Sequence, residues 1–96
     1  MIFEKFRSSL NSDRPPADAS PVLVALWWDA NGDWAKAHEI AQEIESPEAA
    51  WVHAYLHRKE GDQGNAEYWY RRAGKPHSKA SLDAEWEEIA RTILRA

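Results

Sequence analysis

Apolar positions along this chain gather into six stretches separated by Gly, Pro, Ser and Asp, and their three- and four-residue spacing predicts helices throughout. Ile2, Phe3, Phe6 and Leu10 mark a short amphipathic arm within Met1 to Leu10. Asn11 to Pro21, with Pro15 and Pro16, reads as a linker, and Ser20-Pro21 supplies the serine cap and first-turn proline of the next helix. That helix, about Pro21 to Asn31, is apolar nearly all round from Val22 to Trp28, which predicts cover on more than one side. The arm folding back is the favoured cover, and a second copy of the chain is the alternative.

A second helix is predicted from about Trp34 to Glu45, with Trp34, Ala37, Ile40, Ala41 and Ile44 on its apolar stripe. Ser46-Pro47 opens a third, to about Glu60, whose stripe is Trp51, Ala54, Tyr55 and Arg58. The fourth runs from Gln63 or Asn65 to Ala73 and aligns Ala66, Trp69, Tyr70 and Ala73. Ser81 opens the last, which ends near Arg95 and turns Leu82, Trp86, Ile89 and Ile93 inward. Its Asp83, Glu85, Glu87 and Glu88 sit early, where carboxylates favour the helix dipole.

The four central helices repeat. Gly32-Asp33, Ala37 and Pro47 recur 29 residues later as Gly61-Asp62, Ala66 and Pro76. Each unit is one helix, a Gly-Asp turn and a second helix ended near a proline, the pattern of stacked units that cannot bury their apolar faces alone. In the second unit Ala54, Gly61-Asp62, Ala66, Trp69-Tyr70, Ala73 and Pro76 are spaced so that residues 21 to 76 resemble the tetratricopeptide repeat superfamily. The run Trp69-Tyr70-Arg71-Arg72-Ala73 is especially similar to its Sel-like branch. The unit is shorter than the usual ~34 residues of that superfamily. The resemblance implies an all-α domain over residues 21 to 96: a right-handed stack of two helical hairpins with a C-terminal capping helix, preceded by the arm and linker of residues 1 to 20. It also implies protein contacts and nothing about catalysis.

Composition narrows the function classes. With no cysteine, the chain has no disulfide framework, thiolate metal site or cysteine nucleophile. The net charge of -4 argues against a general nucleic-acid binder, and no apolar run is long enough for a membrane span. A cytoplasmic location is the resulting expectation. Charge is uneven: Asp13 to Glu48 holds two basic and eight acidic residues, whereas Arg58 to Lys79 holds six basic and three acidic.

Three sets of side chains carry candidate chemistry. His53, His57, Arg58, Tyr68, Arg71 and Arg72 are expected to line an exposed groove of the third and fourth helices that contacts a protein or peptide partner of acidic character. His53 and His57, four apart, with Glu60 following, offer two imidazoles and a carboxylate on one helix face, the less favoured metal-binding reading. The zinc-protease pattern would need a glutamate where Ala54 stands, and His38 and His77 have no ligand-spaced companion nearby in sequence. The Val22 to Trp28 helix is the third candidate, as a self-association face, so that the chain is expected as a monomer or as a homodimer through this helix. Phosphate-cradling glycines and nucleophile motifs are absent from the sequence, so a noncatalytic module without cofactor is expected.

Overall fold

The computed structural model describes residues 1–95; the last residue of the predicted helical domain, Ala96, lies outside them. Among the described residues all regular structure is helical: α1 (Phe3–Ser8) with a 3-10 turn (Ser9–Asn11), α2 (Pro21–Ala30), α3 (Trp34–Gln42), α4 (Pro47–Lys59), α5 (Gln63–Ala73) and α6 (Leu82–Arg95). Among the described residues no helix is long and apolar enough to cross a membrane.

The two Gly-Asp turns share one geometry. Gly32 and Gly61 have φ of 87° and 89°, in the left-handed region that a Cβ disfavours. In the first turn the Asp33 N–H reaches the Trp28 carbonyl, and in the second the Asp62 N–H reaches the His57 carbonyl, both at 2.9 Å. The aspartate side chains then cap the following helices, accepting from the Lys36 N–H at 3.0 Å and the Asn65 N–H at 3.1 Å. The sequence repeat is therefore a repeat of backbone hydrogen bonds.

The chain departs from expectation where α3 ends. Its last turn tightens, with Glu43 and Ile44 N–H groups bonding three residues back to the Ile40 and Ala41 carbonyls. Extended backbone at Ser46 is needed to cap α4 and to precede Pro47, so the predicted helix stops at Gln42 and Ile44 leaves its stripe.

Helix α4 lies at the centre, buried continuously from Ala49 to Leu56, although His53 is among those residues. It touches α2, α3, α5 and α6. The apolar α2 is covered from within the chain, and α6 shares that role with the arm: the Trp86 indole donates to the Leu26 carbonyl at 3.0 Å, and the Trp27 indole to the Ser9 carbonyl at 3.3 Å. The arm itself packs mainly on α6, where Phe6 stacks on Trp86 at 5.8 Å and Phe3 meets it edge-on at 6.3 Å. Leu23, Ala25, Leu26 and Trp27 are thus inside the single chain.

Two buried carboxylates tie the helices together, and one of them, Glu85, was expected only to favour the dipole of the last helix. Glu85, fully buried, accepts from the Trp51 indole (3.1 Å), the Tyr70 hydroxyl (2.6 Å) and the Arg58 guanidinium (2.8 Å). Arg58 also donates to the Ala80 carbonyl. Asp29 accepts from the Tyr55 hydroxyl (3.1 Å) and Lys59 (3.0 Å). Burial, then the Asp29 carboxylate, push the Tyr55 hydroxyl far above its ordinary range; burial and the Glu85 bond do the same to Tyr70. Both phenols stay protonated as donors. Glu85→Ala would leave Arg58 facing the interior without its carboxylate and two aromatic donors unpaired. A loss of about 3–5 kcal/mol is expected in urea unfolding, a large part of the ~5–15 kcal/mol of a small domain; a loss below about 1 kcal/mol would refute the network's role.

Candidate functional site

The predicted groove residues separate into three environments. Arg58 is withdrawn, its side chain 16% exposed and engaged by Glu85, so it is a structural residue of α4 rather than a groove lining. His53 is 4% exposed and His57 is largely covered, which removes both from the outer face. Tyr68, Arg71 and Arg72 do stand exposed on α5. The physical reason is α4's central position: α3, α5 and α6 pack around it and cover most of the histidine and Arg58 side chains.

On the outer surface, Tyr68 is the one aromatic among the described residues that stands exposed, at 44%. Its hydroxyl accepts from Arg72 at 3.1 Å, and the Arg72 guanidinium lies 5.1 Å above the Trp69 ring. Arg71 makes a loose, exposed ion pair with Glu67 at 3.6 Å, a contact worth little in water. Trp69 and Arg72 form one wall of a cleft of about 340 Å³, whose other residues include Ile44, Pro47 and Ala50 from the α3–α4 corner. Ile44, freed from α3, contributes to this cleft.

Beneath that surface lies an aromatic cluster that the sequence revealed only in part. His38 of α3 meets His53 at 4.5 Å and His57 at 5.1 Å between ring centroids, and His53 and His57 stack at 4.9 Å. Trp34 stacks on His38 and lies edge-on to His57, while Trp69 stacks on His53 at 3.8 Å. The pairings Trp34 with His57 and His38 with His53 run in opposite senses along α3 and α4, as an antiparallel packing requires. One ligand atom from each of His38, His53 and His57 lies within 4.8 Å of the other two.

Glu60 occupies a different place from the one expected. Its carboxylate meets His57 Nδ1 at 2.6 Å, and the third residue brought to the two α4 histidines is His38. A second group, His57, Glu60 and Asp62, also converges, but the Asp62 oxygens accept from the Asn65 backbone and side-chain amides, which hold that carboxyl below its usual range. His77, apart from the cluster, packs against Tyr70. Sequence spacing missed His38 because the α3–α4 turn, rather than helical periodicity, brings it close; the usable signal was Trp34 and His38 at i and i+4 opposite His53 and His57.

Burial, followed by the neighbouring imidazoles His38 and His57, lowers His53 from the ordinary 6.5 to about 4. Burial and then His57 lower His38 as well, with Glu60 partly opposing. Both rings are therefore neutral at pH 7. No protein-family model, curated protein or solved structure matches the chain.

The shift has a signed consequence for stability. Between pH 6.5 and about 4 the unfolded chain binds protons at His53 that the folded chain does not. The contribution from His53 is therefore fully present above the unfolded value and is lost as pH falls through this window. Histidine NMR titration should show His53 still neutral near pH 5, with the urea midpoint declining below pH 6.5; titration of His53 near 6.5 would contradict its burial.

Proposed function

We propose that this chain is a noncatalytic interaction module, a tetratricopeptide-like stack of the α2–α3 and α4–α5 hairpins capped by α6, which binds an acidic peptide segment across the outer face of α5. The observation that carries the reading is the placement of Tyr68, Arg71 and Arg72 beside the cleft lined by Ile44, Pro47, Ala50 and Trp69. The large side chains of a small domain are normally consumed by its core, and here an exposed aromatic with two adjacent cations remains outside it.

The chemistry suits an acidic segment with an aliphatic side chain. Arg72 has no carboxylate within ion-pairing distance among the described residues; it donates to the Tyr68 hydroxyl and lies over the Trp69 ring. An incoming carboxylate would meet a guanidinium already ordered, while an apolar side chain would enter the cleft and displace water from Ile44 and Pro47. The repeated Gly-Asp turns support the tetratricopeptide-like assignment, and its Sel-like flavour rests on Trp69-Tyr70-Arg71-Arg72-Ala73.

Selection of a displayed peptide library on the wild-type chain should enrich segments that combine Asp or Glu with Leu or Ile. The Arg71→Ala/Arg72→Ala double variant should lose that enrichment, with affinity for a selected peptide reduced by about tenfold or more. Equal binding by the double variant, or failure of the wild type to enrich an acidic motif, would refute this surface as the site.

A further inference from the structure

We propose that His38, His53 and His57 form a binding site for one divalent late first-row transition ion of the Zn²⁺ class, with Glu60 as the carboxylate that positions His57. The site is separate from the peptide reading, which uses the outer face of α5.

The ligand set is built on regular helices. His53 and His57 are one turn apart on α4, and His38 faces them from α3, held across the seam by the Trp34 indole, which donates to the Leu56 carbonyl at 2.8 Å. Their ligand atoms already lie within 4.8 Å of one another. Zinc–nitrogen bonds of about 2.0–2.1 Å in a tetrahedral site require nitrogens about 3.4 Å apart. Binding would close that difference by rotation of the three side chains.

The donor chemistry selects the ion. Three imidazoles with neither thiolate nor carboxylate suit Zn²⁺, Cu²⁺, Ni²⁺ or Co²⁺, whereas Ca²⁺ and Mg²⁺ require oxygen ligands. Glu60 supplies what a ligating histidine needs on its far side. Its bond to Nδ1 at 2.6 Å leaves Nε2 of His57 free to coordinate, the carboxylate–histidine–metal arrangement. Trp34 and Trp69 stack on His38 and His53 and restrict their rotamers.

Neither His38 nor His53 has a hydrogen-bond partner for its ring among the described residues, although every fully buried side-chain nitrogen or oxygen there has one. Their nitrogens therefore retain contact with solvent, which provides an approach for an ion. Three protein ligands leave a fourth position for water or for a donor from a partner. Asp62 is committed to capping α5 and does not join the set.

The test uses untagged, chelator-treated protein. Zn²⁺ titration by calorimetry should give one site per chain, and Co²⁺ should give the intense visible absorption of a tetrahedral nitrogen site. His38→Gln, His53→Gln and His57→Gln should each weaken binding by about 100-fold or more, Glu60→Gln by about tenfold, and His77→Gln should leave it unchanged. Because a buried-histidine variant can fail to fold, the wild type alone provides a second measurement: histidine NMR with one equivalent of Zn²⁺ should shift the rings of His38, His53 and His57 and spare His77. No binding by the wild type, retention of full affinity in folded His38→Gln, or shifts confined to other residues would overturn the site. Full affinity in folded Glu60→Gln would overturn the role assigned to Glu60.

Discussion

The buried carboxylate of Glu85 is the constraint around which the helices are arranged. A carboxylate removed from water must replace its hydration with donors, and no single helix can provide them. Trp51 and Arg58 come from α4, Tyr70 from α5, and Glu85 itself from α6. Satisfying one side chain therefore fixes three helices together. Asp29 does the same on a smaller scale for α2 and α4 through Tyr55 and Lys59. With α4 held on both sides, its histidine face is directed toward α3, and the outer face of α5 is left to solvent.

The unusual number of tryptophans has a related cause. Four of the six use the indole N–H to join separate parts of the chain: Trp27 to the Ser9 carbonyl, Trp34 to Leu56, Trp51 to Glu85, and Trp86 to Leu26. An indole fills core volume as phenylalanine does and also donates one directed hydrogen bond. In a domain of this size that combination supplies orientation which a purely apolar core would lack.

The helices were legible because local signals agree: serine caps with first-turn prolines at Ser20-Pro21 and Ser46-Pro47, and Gly-Asp turns repeated at one offset. The arm's position was less legible, since Phe3 and Phe6 reveal an apolar face without saying that Trp86 receives it. Glu85 is expected from the sequence only as an early carboxylate favouring the helix dipole, which does not reveal its burial. Its position three residues after Leu82 and four before Ile89 put it on the inward stripe, and that spacing was the better guide. His38 could not be paired with His53 from periodicity, because their proximity comes from the turn between two helices. Tyr68, Arg71 and Arg72 were correctly separated from the inward stripe of α5, whereas Arg58 belonged with the interior donors.

The histidine cluster sits at the seam between the two hairpins, with His38 from the first and His53 and His57 from the second. The repeat offset shows that it was not copied with the unit. The positions equivalent to His53 and His57 in the first hairpin are Val24 and Trp28, and the position equivalent to His38 in the second is Glu67. Two units make one seam, so the cluster is a property of adjacency rather than of the unit. Duplicating the second hairpin would create a seam with His53 and His57 but Glu67 in place of His38, and duplicating the first would create one with His38 alone, so neither reproduces the cluster; exchanging the order of the hairpins would erase the original one.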